Sequence, residues 1–225
     1  MARTRPKPSP EEIKARHKKQ LVAMRAWLDG KGYYIAGDAM ELVRTLEEGT
    51  RKDGITPKFH HQLSVARMLM TLEPHLLHPE DSIATAFLHD ILEDHSDLWS
   101  RESIEARFGK RIADAVWTLT KKCNGMTKTY PAYYGDIAKC PIASIVKCVD
   151  RNHNIQTMVG VFTFEKQANY VDEVEDYYYP MIRVARRAFK KQYPAYENQK
   201  MFLRSQCRLI EENLAANGYY GGEDV

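Results

Sequence analysis

Residues 81–94, DSIATAFLHDILED, combine an apolar helical stripe with four ionisable side chains. The apolar side chains recur at helical spacing: Ile83, Phe87, Leu88, Ile91 and Leu92. His89 and Asp90 interrupt this stripe, and each precedes an acid, Glu93 or Asp94, by one helical turn. The stretch therefore predicts a buried helix on which three carboxylates and an imidazole share one patch.

A cation would make this patch tolerable, because closely packed carboxylates repel one another and lose hydration. Imidazole and carboxylate ligands suit Mn, Fe, Zn or Co better than Ca. A His-Asp dipeptide alone also fits a cap or a salt bridge, so residues 89–90 by themselves leave both readings open.

Helical periodicity extends through most of the chain, and alternating strand patterns are scarce. Proline- and glycine-containing breakers divide the sequence into roughly nine or ten segments. We predict an all-α helical bundle with three parts: a basic helical extension at 1–36, one domain at 37–217 and a flexible tail at 218–225. In the extension, Ser9 is the predicted helix cap, and its cations serve either as a solvated face or as a docking surface for an acidic partner.

The composition of the 225-residue chain restricts its partners. A formal net charge of +3 is too balanced to indicate a nucleic-acid binder. The four cysteines form no CxxC pair, and no apolar run approaches the ~20 residues that cross a bilayer. We therefore expect a cytoplasmic protein that contacts neither nucleic acid nor membrane.

Two further stretches place polar residues where a core helix would carry apolar ones. Residues 51–66, RKDGITPKFHHQLSVA, form a basic turn that leads into a helix starting near His61. Residues 142–154, IASIVKCVDRNHN, form an apolar helix that Asp150, Arg151 and Asn154 interrupt. The order is thus a histidine, then His-Asp, then a distant aspartate within an apolar helix.

This order resembles the HD phosphohydrolase superfamily over about residues 46–158. The basic turn, the His89–Asp94 run and the Lys147–Asn154 run are similar to the three signature stretches of RelA/SpoT-type alarmone hydrolases, and among these to the small stand-alone enzymes. The resemblance implies an all-α HD-domain bundle and a bound metal, manganese or another divalent transition metal. It also implies removal of pyrophosphate from the ribose 3′ position of (p)ppGpp or (p)ppApp.

The resemblance also implies residue roles. The metal ligands would be His61, His89, Asp90 and Asp150, with the Pro-x-x-x-His spacing from Pro57 favouring His61 over His60 as the ligand.

Glu93 and Asp94 would position and deprotonate the attacking water, or alternatively support the metal ligands. The implied substrate contacts are Arg51, Lys52, Lys147, Arg151 and Asn154. Arg151 has an alternative role, a salt bridge to Glu93 or Asp94.

The chain departs from the family pattern in two places: the Gly54-to-Pro57 turn is one residue longer, and Gln156 stands where an arginine is common. Base and phosphate preference could therefore differ. The 120–134 segment either covers the substrate, through Lys121, Lys128 or Tyr133, or is a surface loop.

The expected partner is a phosphorylated nucleotide, together with an alarmone-synthetase toxin that this protein would counteract as an antitoxin. An HD-type nucleotidase or an NADPH 3′/2′-phosphatase fits the same residues. A non-catalytic nucleotide-binding module is the alternative of a different class.

Overall fold

The computed structural model describes residues 8–219, and their fold is all-α, as predicted. The α-helices are α1 (Pro10–Lys31), α2 (Tyr34–Leu46), α3 (His60–Leu72), α4 (Pro79–Leu88), α5 (Ile91–Asp94), α6 (Arg101–Phe108), α7 (Lys110–Leu119), α8 (Tyr130–Ile137), α9 (Pro141–Met158), α10 (Phe164–Glu173), α11 (Tyr179–Ala188) and α12 (Tyr193–Ala216). Short 3-10 helices cover Glu73–His75 and Lys190–Gln192, and a π-helix, Val174–Tyr178, joins α10 to α11.

Helix α4 lies at the centre of the bundle and packs against α2, α3, α7 and α9. Every residue from Ser82 to Leu88 is buried, which explains the nearly continuous apolar sequence of this helix. Helix α9 crosses the same core and also contacts α3, α7 and α12. Burial of this shared apolar surface is the main stabilising contribution to the bundle. The packing of α3, α4 and α9 also brings their polar residues together.

The single helix predicted over residues 81–94 is in fact two helices, which is a correction to the sequence-based expectation. Helix α4 ends at Leu88, and α5 is one turn that begins at Ile91. Between them Asp90 adopts φ −99° and ψ −3°, which departs from helical geometry. The break lies at the His-Asp pair, which follows the end of α4 and precedes the start of α5.

The N-terminal helix α1 begins with the predicted cap. The Ser9 hydroxyl accepts a hydrogen bond from the Glu12 amide, and the Glu12 carboxylate accepts one from the Ser9 amide, which forms a capping box. Met24 and Leu28 are buried where α1 packs on α2 and α3. The predicted boundary between residues 36 and 37 falls inside α2, and both domain boundaries remain predictions.

Residues 1–7 of the predicted extension and residues 220–225 of the predicted tail lie outside the described part of the chain. Within the described part, no helix is both long enough and apolar enough to cross a membrane.

The 120–134 segment contains the two short strands of the described residues, β1 (Lys122–Cys123) and β2 (Met126–Thr127), which pair antiparallel. Asn124 and Gly125 form the turn between them, both with positive φ. The Lys128 ammonium donates to the Trp117 carbonyl, and the Tyr133 hydroxyl donates to the Leu119 carbonyl. Both side chains are therefore engaged with α7.

Candidate metal centre

Four polar side chains, from two helices and from the break between two others, lie close together. His61 lies in the first turn of α3, His89 and Asp90 lie at the α4–α5 break, and Asp150 lies in α9. His61 Nε2 is 3.2 Å from His89 Nε2 and 3.1 Å from Asp150 Oδ1. His89 Nε2 is 2.9 Å from Asp90 Oδ2 and 3.8 Å from Asp150 Oδ1. Both imidazoles therefore lie near Asp90 and near Asp150, and the assignment of the four residues as metal ligands stays a prediction.

These separations match those of ligands around one ion. Metal–ligand bonds of about 2.0–2.2 Å place neighbouring donor atoms roughly 3.0–3.5 Å apart. His61, His89 and Asp90 each offer a donor atom within 4.8 Å of the others, which is close enough for all three to bind one metal. Two imidazoles with carboxylates suit a divalent transition metal.

Neighbouring groups orient the imidazoles. His89 Nδ1 lies 2.8 Å from the Ala86 carbonyl oxygen, to which it donates when Nε2 carries no proton. His61 Nδ1 lies 2.9 Å from His153 Nδ1. When His61 Nε2 binds a metal it carries no proton, so Nδ1–H would then donate to His153, as the second ring nitrogen of a metal-binding histidine usually donates to a neighbouring acceptor.

Asp150 is held on both carboxylate oxygens. Oδ1 accepts a 2.7 Å hydrogen bond from the Asn154 amide, and Oδ2 lies 3.1 Å from the Lys147 ammonium. Burial opposes ionisation of this carboxyl, but the Lys147 charge, followed by His61 and His89, holds the pKa of Asp150 well below its usual range. Asp150 is therefore expected to be ionised near neutral pH.

His60 does not take part in this centre. Its Nδ1 lies 3.3 Å from Nδ1 of His17 on α1, and its Nε2 lies 3.4 Å from the Ser64 hydroxyl. Burial, followed by repulsion from His17, lowers the pKa of His60 to about 4. His61, the neighbour favoured by the proline spacing, is the histidine that faces the other donors.

A cleft of about 570 Å³ opens over the donor group. The predicted substrate contacts Arg51, Lys52, Lys147 and Asn154 line it. Asp53 holds the basic turn in place, because its carboxylate accepts hydrogen bonds from the amides of Ile55 and Thr56, both at 2.9 Å. Such volumes are typical of small-molecule sites, so the cleft is large enough for a nucleotide.

Arg151, the fifth predicted substrate contact, is not part of the cleft lining. Its guanidinium is buried, forms a 2.6 Å ion pair with Glu173, and donates a 3.0 Å hydrogen bond to the Tyr178 hydroxyl. Successive helical residues point about 100° apart, so Arg151 turns from Asp150 toward α10 and the π-helix. The alternative partners expected for it, Glu93 and Asp94, are not its ion-pair partners.

The structure separates the predicted catalytic acids Glu93 and Asp94. Asp94 lines the cleft, and burial, followed by repulsion from Asp90 and Glu47, raises its pKa. The Glu93 carboxylate instead accepts hydrogen bonds from the backbone amides of Lys121 and Lys122, at 2.5 and 3.3 Å. Glu93 thereby tethers the β1–β2 hairpin to α5.

Sequence reasoning missed several residues that line the cleft, four of which bear on its chemistry. Phe162, Lys166 and Tyr170 form one wall, and the Lys166 ammonium lies 4.2 Å from the Phe162 ring centroid. The three residues are spaced four apart, in the order aromatic, basic, aromatic. This pattern was visible in the sequence, because residues four apart lie on the same side of a helix. Glu47, buried and paired with Lys58 at 2.8 Å, gave no sequence signal because it follows an ordinary amphipathic helix.

A family model described as an HD domain matches residues 39–129, which include His61, His89 and Asp90 but not Asp150. HD domains are generally metal-dependent phosphohydrolases, and the match supports placing this segment in that superfamily. No curated protein matches the chain. The matched segment thus contains the three residues whose donor atoms are close enough together to hold one metal ion.

Proposed function

We propose that this protein is a metal-dependent hydrolase that removes the 3′-pyrophosphate from alarmone nucleotides, (p)ppGpp, (p)ppApp or both. The observation that carries the proposal is a single cleft that joins the His61–His89–Asp90–Asp150 donor group to basic and aromatic side chains. In such a cleft the basic side chains can bind a phosphate chain while the aromatic side chains contact a base.

The four donor side chains would hold the metal, for which we propose Mn2+. A divalent ion at this point would supply an activated water and polarise a phosphoryl oxygen. Asp94 is the proposed general base, because it lines the cleft and its raised pKa makes it a stronger proton acceptor than an ordinary carboxylate. Glu93 is proposed to position α5, the one-turn helix that carries Asp94, through its hydrogen bonds to the hairpin.

Lys52 and Lys166 are the proposed contacts for the phosphate chain. Their ammonium groups lie 5.2 and 4.2 Å from the same Phe162 ring centroid. Burial, followed by repulsion from Lys52, lowers the pKa of Lys166. Two neighbouring ammonium groups favour a polyanion between them, and the rings of Phe162 and Tyr170 offer a surface for the base.

We extend the proposal to a genetic partner: an alarmone-synthetase toxin whose product this protein would destroy as an antitoxin. The support is the similarity of the signature stretches around His61, His89 and Asp150 to those of small alarmone hydrolases.

The test is incubation of metal-free protein with ppGpp and with ppApp, with and without Mn2+, followed by chromatography of the products. The proposal predicts Mn2+-dependent release of pyrophosphate, which Asp90→Ala abolishes. Lys166→Gln should raise KM by weakening the phosphate contact, whereas the matched exposed change Lys191→Gln should leave KM unchanged.

Other outcomes would replace the proposal. Orthophosphate released from NADPH, with the alarmones intact, would identify a 3′/2′-phosphatase. Nucleotide binding without turnover in saturating Mn2+ would identify a binding module.

A further inference from the structure

A second concave site lies between α11 and α12, and it shares no lining residue with the metal-centre cleft. Its volume is about 270 Å³. Most of its charged lining is basic: Arg183 and Arg186 from α11, and Lys200 and Arg204 from α12. We call this site the α11–α12 pocket.

The positive charge of the α11–α12 pocket is local rather than a reflection of the whole chain, whose net charge is only +3. Four cations and one acid, Glu175, line it. Arg186 is paired with Glu197. Within residues 8–219, the other three cations have no carboxylate partner within 4.0 Å. Confining unpaired like charges in a concave surface costs free energy unless an anion is bound.

A second observation also points to a ligand. The Tyr179 hydroxyl lines the pocket and is shielded from solvent, and its polar neighbour there is the Arg204 guanidinium, which lines the same pocket. The Arg204 guanidinium carbon lies 6.0 Å from the Tyr179 ring centroid. The Tyr179 hydroxyl and the Arg204 guanidinium therefore offer neighbouring hydrogen-bond donors to an oxygen-bearing ligand in the pocket.

The pocket also borders irregular backbone. Glu175 belongs to the π-helix Val174–Tyr178, and Tyr179 follows directly after it. Single-turn π-helices are rare, and many lie at functional sites. This turn separates the pocket from Arg151, because Tyr178 bonds the Arg151 guanidinium on the other side.

We propose that the α11–α12 pocket is a second anion site that binds a diphosphate group. Guanidinium groups bind phosphate oxygens in a bidentate manner, which a monatomic anion such as chloride cannot accept. A diphosphate carries about three negative charges near neutral pH, which matches the three unpaired cations Arg183, Lys200 and Arg204. The proposal is independent of the substrate proposed for the cleft.

The experiment is isothermal titration of the full chain with inorganic pyrophosphate in EDTA, which prevents metal-assisted binding. Three double variants are compared with the wild type. Arg183→Gln with Lys200→Gln alters the pocket, Arg187→Gln with Lys191→Gln removes two exposed charges nearby as a matched control, and Lys52→Gln with Lys166→Gln weakens the cleft.

The wild type and the cleft variant should both bind pyrophosphate at the α11–α12 pocket. The pocket variant should lose at least tenfold in affinity at that site, while the matched control keeps it. If the pocket variant and the control lose the same affinity for pyrophosphate, the effect comes from the general positive charge of this surface and the proposal is wrong. Unchanged affinity in the pocket variant would also overturn the proposal.

A site-specific readout guards against a variant that fails to fold. Pyrophosphate should protect Lys200 of the wild type from acetylation, measured by mass spectrometry, while Lys191 reacts at its original rate. Unprotected Lys200 at saturating pyrophosphate would contradict the assignment. Adenosine diphosphate in parallel distinguishes the source: tighter protection than by pyrophosphate indicates a nucleoside diphosphate, and equal protection indicates a free diphosphate.

Discussion

Asp150 is the most constrained of the four donor side chains at the metal centre. Lys147 and Asn154 hold its two oxygens, and its position within α9 leaves little freedom. Asp90 is different: its side chain is 36% exposed and lies at the open side of the centre. This asymmetry leaves one side of the donor group accessible to a ligand in the cleft.

His153 is expected to set the orientation of His61. Replacing it with leucine removes the acceptor 2.9 Å from His61 Nδ1 while keeping similar volume. Loss of such a partner typically lowers metal affinity about 10–100-fold. Titration of metal-free protein with Mn2+ measures the effect, and the exposed His75→Leu is the control. Equal affinities for wild type and His153→Leu would show that the contact does not orient the ligand.

Metal binding should release a proton from His89. Burial disfavours the charged ring, but the carboxylates of Asp90 and Asp150 outweigh it and raise the pKa of His89 to about 9 in the metal-free protein. A metal must displace this proton below pH 9, so affinity should rise as the pH increases toward 9. Calorimetry in buffers of different ionisation enthalpy counts the released protons, and a pH-independent affinity between pH 6 and 9 would contradict the prediction.

At the scale of elements, the breaks between helices position the site as much as the helices do. The α4–α5 break turns His89 and Asp90 toward α3, and the Asp53-stabilised turn presents Arg51 and Lys52. The helical class and the three motif stretches were predictable, because apolar periodicity and polar interruptions are local features.

Contacts that depend on long-range packing were not predictable from local pattern. Whether Arg151 faces the cleft or Glu173 depends on how α10 packs on α9, and the sequence of α9 alone contains no such information. The same holds for Glu93, whose partners are 28 and 29 residues away in the hairpin.

Arg151 should therefore matter for stability. Replacing Arg151 with leucine leaves Glu173 without its cation, and breaking one partner of a buried ion pair typically costs about 3–5 kcal/mol. Urea unfolding measures this loss. The exposed Arg107→Leu change should cost far less. A fully stable Arg151→Leu protein with a raised substrate KM would instead support a direct substrate contact.

For the whole molecule, the metal centre links three helices that are far apart in sequence. A ligand that binds the native state alone stabilises it by about 2.7 kcal/mol at a concentration of 100 times its Kd. The donors come from α3, the α4–α5 break and α9, so unfolding separates them.

Saturating Mn2+ should accordingly raise Tm by roughly 5–10 °C for a chain of this size. Differential scanning calorimetry with Mn2+ and then with excess EDTA measures the shift and its reversal. The double variant Asp90→Asn with Asp150→Asn should show no shift. A comparable shift in that variant would place the bound metal elsewhere.

The most direct test of the central claim is the position of bound manganese in crystals grown with Mn2+, from anomalous diffraction. The account predicts one strong peak within bonding distance of His61 Nε2, His89 Nε2, Asp90 and Asp150, and its absence in Asp90→Asn crystals. A strong peak only outside this group, or no peak at saturating Mn2+, would contradict the metal-dependent hydrolase account.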